Sequence, residues 1–312
     1  MSQVIPDGFP LPVYRFQDNR LTKQGFELGR ELFYDGRLSV DGGFPCSSCH
    51  QQLAGFGTYE HDRSHGYNHS HTLRNAPVLF NLAWQKEFHW DGVFTSLYDE
   101  AQQPINSHNE MAESFATIIP KLQADATYPR KFRIAFGTEE ITEDRILKAL
   151  AQFTGNLTSA DSKYDRVKKG TTSFTESEER GYELFKIKCA TCHTEPLFTD
   201  HNFYNIGLPV DIDLNDYGKM RVTHKSEDSL KFKVPTLRNV NISANFMHDG
   251  RFNTLAQVLD HYISDVQASP TLDSTLTNGI QLSPIEKTDV IAFLKALTDS
   301  SFISNPKYSK PQ

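Results

Sequence analysis

The 312-residue chain is sparing with cysteine, methionine and tryptophan, holding 4, 4 and 2 of them. It contains no apolar stretch of the length a membrane span needs. Basic charge is not in excess either, since 32 Lys and Arg face 39 Asp and Glu for a formal net charge of −7. Each shortage excludes something. An acidic balance argues against a nucleic-acid partner, and so few cysteines cannot build a disulfide scaffold. Hydrophobic residues reach only 38% and the mean hydropathy is −0.50, low for a length that predicts about two domains. Met1-Ser2-Gln3-Val4-Ile5-Pro6 shows neither the basic stretch nor the apolar core of an export signal.

What the chain does hold is concentrated. All four cysteines fall in two copies of Cys-x-x-Cys-His, Cys46 to His50 and Cys189 to His193. At this composition roughly 0.002 chance occurrences of that pattern are expected. It is the attachment pattern of c-type haem. One helical turn brings two thiols to the haem vinyl groups and aims the next imidazole at the iron. Zinc would pool both cysteine pairs and leave the two histidines idle. Thioredoxin-type dithiol chemistry needs an α/β scaffold, for which there is no pattern. The spacing therefore predicts two covalent haems c, with Cys46, Cys49 and His50 on one and Cys189, Cys192 and His193 on the other. Two porphyrins also supply the apolar interior that the composition lacks. Such attachment normally happens outside the cytoplasm. The chain is therefore expected to be exported or periplasmic, its Met1 standing in place of a removed signal or lipid anchor.

The chain also repeats itself. Gly25 to Phe33 precedes the first motif and Gly181 to Phe185 the second, both as amphipathic helices. Leu73-Arg74-Asn75 leads to Trp90-Asp91-Gly92, as Leu237-Arg238-Asn239 leads to His248-Asp249-Gly250. Each half closes on a capped, acid-started helix, from Thr142 in the first and Ser283 in the second. Periodicity breaks between Asp165 and Thr175. The expectation is an all-α chain of two tandem cytochrome c-type domains, 1–168 and 169–312, with one haem in each.

With these elements in this order, the chain resembles the bacterial di-haem cytochrome c peroxidase and MauG superfamily from about Leu21 to Leu297. The residues carrying the resemblance are both haem motifs, Leu73 to Pro77, Trp90-Asp91-Gly92, Pro104-Ile105 through Glu110-Met111, Leu237 to Val240 and His248-Asp249-Gly250. It implies that the N-terminal haem meets hydrogen peroxide while the C-terminal haem stores or relays electrons. Glu110 matches the distal carboxylate, which moves a proton between the peroxide oxygens, and Pro104 opens its segment. Trp90 matches a tryptophan between the haems that can carry a hole, although a packed core aromatic is the plainer role. Trp84 has no match and reads as core. His108 stands where the family often has Pro, which puts the rigidity of that loop in question.

The sixth ligand of the second haem separates the branches. Peroxidases place a Met where this chain has Tyr262, and MauG has Tyr there. His261 is one residue off the helical stripe and competes for the role, and a merely packed Tyr262 is a third reading. Met220 and Met247 are the only methionines of that half, and Met247 occupies a core position. A phenolate favours oxidised iron. The resemblance thus leans to the MauG-like branch, which includes relatives in methanobactin operons. It implies an enzyme that uses peroxide to build a high-valent di-haem state and oxidises a protein or other bulky donor. The alternative is a cytochrome c peroxidase fed by a small cytochrome or cupredoxin. A pure electron-transfer cytochrome would have no use for Glu110. By resemblance His65 is a candidate distal ligand of the first haem, with the register open to His69 or His71. An exposed polar loop and a metal-binding tract that adds His61 are the other readings. The family's calcium ion would take Asn75 and the backbone carbonyls of Ser243 and Asn245.

Overall fold

A computed structural model describes residues 1–312. In the first half α1 is Lys23–Phe33, α2 Cys46–Cys49, α3 Leu97–Asn106, α4 Phe115–Gln123, α5 Tyr128–Phe136, α6 Glu143–Thr154 and α7 Lys163–Lys168. The second half holds α8 Glu176–Lys188, α9 Met220–Thr223, α10 Leu255–Asp260, α11 Pro284–Lys295 and α12 Ser300–Ile303. The only ladder of named strands is β1 Phe203–Tyr204 against β2 Phe232–Lys233, antiparallel, with Phe203 opposite Lys233. The chain is mostly helical with very little sheet, close to the all-α expectation.

Two helix pairs frame the molecule, and they are built alike. Thr22 caps α1, accepting the Gly25 amide, and Thr142 caps α6. In the second half Thr175 with Glu178, and Ser283 with Glu286, form complete capping boxes on α8 and α11. The apolar stripe of α1 (Phe26, Leu28, Leu32, Phe33) packs on Ile146, Leu150 and Phe153 of α6. At the crossing a Cβ on Gly29 would stand 1.9 Å from the Ala149 carbonyl oxygen, and one on Gly181 would stand 1.9 Å from that of Asp289. Phe153 and Phe293 bracket the two contacts at the same 3.0 Å. Only glycine lets backbones come this near.

The left-handed backbone positions set the register of the repeat. Asn81 (φ 56°) and Asn239 (φ 59°) each open a 3₁₀ turn, and Gly92 (φ 74°) and Gly250 (φ 75°) each close a bridge, Phe88–Phe94 and Phe246–Phe252. The counterpart of Leu237-Arg238-Asn239 is therefore Leu79-Phe80-Asn81, which corrects the sequence pairing with Leu73-Arg74-Asn75. The pairing of Trp90-Asp91-Gly92 with His248-Asp249-Gly250 stands. Arg74 and Arg238 accordingly do different jobs. Arg238 is buried and grips Asp165 with two bonds of 2.7 and 2.8 Å. Arg74 reaches across the halves to Asp216 at 2.6 and 2.9 Å, and also pairs with Asp91 at 2.6 Å.

Packing crosses the expected division at 168/169 in both directions. Tyr164 of α7 belongs to the second hydrophobic core, while Phe302 and Tyr308 belong to the first. The C-terminal tail is tied there by Tyr34 Oη to the Tyr308 carbonyl at 2.8 Å and by Arg30 to the Lys307 carbonyl at 3.0 Å. Trp84 is buried as expected, its indole donating to the Pro10 carbonyl at 2.7 Å.

Candidate functional site

Each Cys-x-x-Cys-His motif folds as one turn. The His50 amide reaches the Cys46 carbonyl at 3.0 Å, and the His193 amide reaches that of Cys189 at 2.9 Å. The thiols of each turn stay unpaired. Burial pushes the Cys46 and Cys189 thiols up to about 12. Both histidines are oriented by the same device. His50 Nδ1 lies 2.9 Å from the Phe56 carbonyl, and His193 Nδ1 lies 3.1 Å from that of Phe198. Phe56 (φ 60°) and Phe198 (φ 55°) turn those carbonyls inward from left-handed conformations. Burial lowers the His50 pKa to about 4, so the ring is neutral. With Nδ1–H spent on a carbonyl, each Nε2 keeps its lone pair for a metal. Two thiols and one oriented imidazole per turn fit a c-type haem.

Beside the first motif stand α3 and the turn behind it. Ser96 caps α3 by accepting the Tyr98 amide. Pro104 lies inside this helix, and its carbonyl takes the Met111 amide at 3.1 Å. Gln103 Nε2 donates to Glu110 Oε1 at 3.2 Å, fixing the carboxylate. Burial raises the Glu110 pKa, opposed by the bonds from Gln103 and Ser107. Its charge is felt at both Cys46 and Cys49, which locates it over the first motif. The turn is rigid without a proline at His108. Ser107 O accepts the Glu110 and Ala112 amides at 3.0 Å each, and Ile105 O accepts that of Glu113 at 2.8 Å.

The histidine loop packs on this turn by backbone. Tyr67 N donates to the Glu110 carbonyl at 2.8 Å, and a Cβ on Gly66 would meet the Asn109 carbonyl oxygen at 1.9 Å. The His65 side chain is nonetheless exposed. Its ring sits between those of His61 and His71, at 4.2 and 4.3 Å, and it pairs with His71 in a bridge. This structure therefore places His65, the candidate distal ligand, on the outer face. His69 is exposed as well.

Trp90 lies where the halves meet. Its Nε1 donates to the Asn75 carbonyl at 2.9 Å, and the Asn75 amide donates to the His248 carbonyl at 2.8 Å. Asn75 is buried, and its Nδ2 is taken by the Asp62 carbonyl at 2.7 Å, which leaves Oδ1 for a cation. The Asn245 side-chain oxygen accepts from Asn253 at 2.7 Å, so its free donor is the backbone carbonyl. Ser243 stands in the same segment, leading to His248. No group of three His, Cys, Asp or Glu side chains is poised around a metal ion. A cation here would rest on amide and carbonyl oxygens.

Tyr262 and His261 separate cleanly. The helix continuing α10 widens into a π turn over His261–Asp265, a form that concentrates at functional sites. His261 is 1% exposed, and its Nε2 is held 2.9 Å from the Ile206 carbonyl, which occupies it structurally. The Tyr262 hydroxyl has no protein hydrogen-bond partner. Burial first, then Cys189 and Cys192, push its pKa upward, which sets the phenol beside the second motif.

Sequence reasoning missed Glu100, which feels the charge of Glu110, and the two groups beside it, His89 and Lys233. Glu100 lies on α3 one turn before Gln103, and its Oε2 is 3.1 Å from His89 Nε2, off the line of a hydrogen bond. Lys233 is buried, its ammonium donating to Gln85 Oε1 and the Glu87 carbonyl at 2.8 Å each. The spacing of Glu100, Gln103 and Ser107 along one helical face was the available signal.

A model of the di-haem cytochrome c peroxidase family matches residues 23–173. The methylamine utilization protein MauG of Methylorubrum extorquens is 35% identical over 298 residues, covering 94% of this chain and 82% of that protein. Cytochrome c551 peroxidase of Nitrosomonas europaea is 33% identical, covering 87% of this chain and 79% of that one. The crystal structure of a MauG-like protein associated with microbial copper homeostasis superposes with a TM-score of 0.92 at 33% identity, covering 98% of both chains.

Proposed function

This chain belongs to the di-haem cytochrome c peroxidase family of peroxidase-type oxidoreductases, and from that premise we propose that it uses hydrogen peroxide to oxidise a protein or other bulky donor, in the manner of MauG. The carrying observation is Tyr262, a half-buried phenol without a protein partner on a π turn beside Cys189 and Cys192. Covalent haem c on Cys46, Cys49 and His50 and on Cys189, Cys192 and His193 would supply peroxide activation and storage of oxidising equivalents.

The chain's own groups do the rest. Glu110, oriented by Gln103, takes a proton from one peroxide oxygen and hands it to the other as that oxygen leaves. Trp90, bonded to Asn75 and through it to the His248 segment, provides an aromatic step between the halves. Tyr262 would hold the iron of the second haem through its oxygen, and His261 stays bonded to Ile206. Calcium on Asn75 and the carbonyls of Ser243 and Asn245 would brace the same junction. No helix is long and apolar enough to cross a membrane. Haem attachment of this kind suits an exported or periplasmic protein.

The second reading is a cytochrome c peroxidase that draws electrons from a small redox protein, and the likeness to the Nitrosomonas europaea enzyme favours it. Electron paramagnetic resonance and resonance Raman spectra of the ferric enzyme decide between them. An oxygen ligand that disappears in Tyr262→Phe supports the MauG-like reading. A methionine-like or bis-imidazole signature at the C-terminal haem overturns it.

A further inference from the structure

The proton chemistry assigned to Glu110 leaves a second carboxyl, close enough to feel its charge, unused. Glu100 and Gln103 share one face of α3, and Gln103 holds Glu110. The Glu100 side chain is only 13% exposed, and its Oε2 receives no hydrogen bond. The groups facing it come from three directions. His89 and Asp91 come from the loop before α3, Lys233 from β2 and Glu110 from the turn after α3. None of them forms an ion pair that would hold Glu100 charged. Asp91 is engaged by Arg74, the Lys233 ammonium is spent on Gln85 and Glu87, and His89 is neutral, lowered to about 4 by burial. Burial raises the Glu100 pKa, Lys233 opposes the rise, and Glu110 and Asp91 add to it. A buried carboxyl without an ion-pair partner keeps its proton. His89, at φ 62° with a side chain 28% exposed, reaches from Glu100 toward the outside.

We propose that Glu100 is the proton-donating carboxyl beside the first motif, that Glu110 is the base there, and that His89 is the route by which Glu100 is recharged. This rests on the reading of the first motif's surroundings as the peroxide site. Two neighbouring titratable groups held in opposite protonation states are how one pocket runs acid and base steps together. The balance is simple. Reduction of hydrogen peroxide to two waters consumes two electrons, which the oxidised donor supplies, and two protons. The first water leaves with the peroxide's own protons, moved by Glu110. The second water takes one proton from Glu100 and one from solvent. Glu100 is left as a carboxylate until His89 passes a proton in.

Difference infrared spectroscopy of the resting holoenzyme across a pH titration reads the protonated carboxyl C=O stretch without turnover. A band present at neutral pH, lost in Glu100→Gln and kept in Glu110→Gln, is the expected result. Absence of a Glu100-dependent band at neutral pH overturns the proposal. His89→Phe leaves the carboxyl in place and should shift the band; an unshifted band overturns the recharging route. Steady-state turnover of Glu100→Gln should fall at least a hundredfold, the lower edge of the roughly 10²–10⁴ that acid–base groups contribute. The wild type should decline at alkaline pH and Glu100→Gln should lose that decline; an unchanged profile overturns the donor role. If peroxide is not the oxidant, wild-type turnover fails while the band remains, so the two readings fail separately.

Discussion

Asn81 and Asn239 hold equivalent places in the two halves and converge on one serine. Asn81 accepts the Ser159 amide at 3.0 Å and donates to the Ser159 carbonyl at 3.1 Å. Asn239 donates to the Ser159 hydroxyl at 2.9 Å and accepts the Asp299 amide at 2.7 Å. The Ser159 hydroxyl donates in turn to Asp299 Oδ2 at 3.0 Å. Ser159 follows α6 and Asp299 follows α11, so one buried network ties the ends of both closing helices to both loops. Each partner lost from such a network strands a buried polar group at about 1–3 kcal/mol.

Glu110→Gln is expected to bind both haems and to slow the reaction with peroxide at least a hundredfold, since general acid–base groups are typically worth about 10²–10⁴. The wild-type rate should fall as pH drops, because the base must be ionised. Burial raises its pKa, so the fall begins at a higher pH than for an exposed glutamate. Stopped-flow mixing across pH measures both. A change under fivefold would move the proton shuttle elsewhere.

Tyr262→Met should raise the reduction potential of the C-terminal haem, because a thioether favours ferrous iron relative to a phenolate. Peroxide consumption should persist when a donor is supplied, while oxidation of a protein partner is lost. Spectroelectrochemical titration reads the shift; an unchanged potential would show that Tyr262 is only packed.

Replacing Cys189 and Cys192 with alanine should leave a protein carrying one covalent haem, because each turn has its own thiols and its own oriented imidazole. Pyridine haemochrome quantitation should return half the wild-type value. Full retention would contradict attachment at that motif.

Gly29→Ala and Gly181→Ala set two effects against each other. Alanine favours a helix interior over glycine by about 1 kcal/mol. A Cβ placed 1.9 Å from a backbone oxygen must, however, push the helix pair apart. Overpacking typically costs about 1–3 kcal/mol, and here it meets rigid backbone, so both variants should melt lower than wild type. Calorimetry showing a raised Tm in either would mean the crossing is looser than described.

Arg238→Ala should cost about 3–5 kcal/mol, because it leaves the Asp165 carboxylate buried without its partner. Burial alone would raise the Asp165 pKa, and the bonds and charge of Arg238 outweigh it to hold the carboxyl below its ordinary value. A depressed carboxylate pKa stabilises the fold above the unfolded value of about 4, and that share is lost as pH falls through the folded value. Denaturant midpoints in wild type should therefore drop below about pH 4. The variant should lack that share of the drop.

The sequence by itself determined whatever rests on near neighbours. Each Cys-x-x-Cys-His turn closes on a bond between residues four apart. The caps at Thr142 and Ser283 bond three residues onward, and Pro104 and Glu110 share one turn. Tyr262 and His261 stand side by side in sequence, where the resemblance favoured Tyr262; the tertiary structure adds that the Ile206 carbonyl occupying His261 arrives from a distant loop. The same holds for the register of the repeat. Leu73-Arg74-Asn75 matches Leu237-Arg238-Asn239 in letters, but the left-handed φ of Asn81 and Asn239, imposed by their bonds around Ser159, makes those two the counterparts. Packing also decided that Arg74 spans the halves to Asp216, that the C-terminal tail completes the first core, and that Glu100 Oε2 is buried near Glu110 without a hydrogen-bond partner. Local signals fix short hydrogen-bonded turns because their entropy cost is small. The burial of a charge and the choice of its partner depend on segments that meet only when the whole chain has folded.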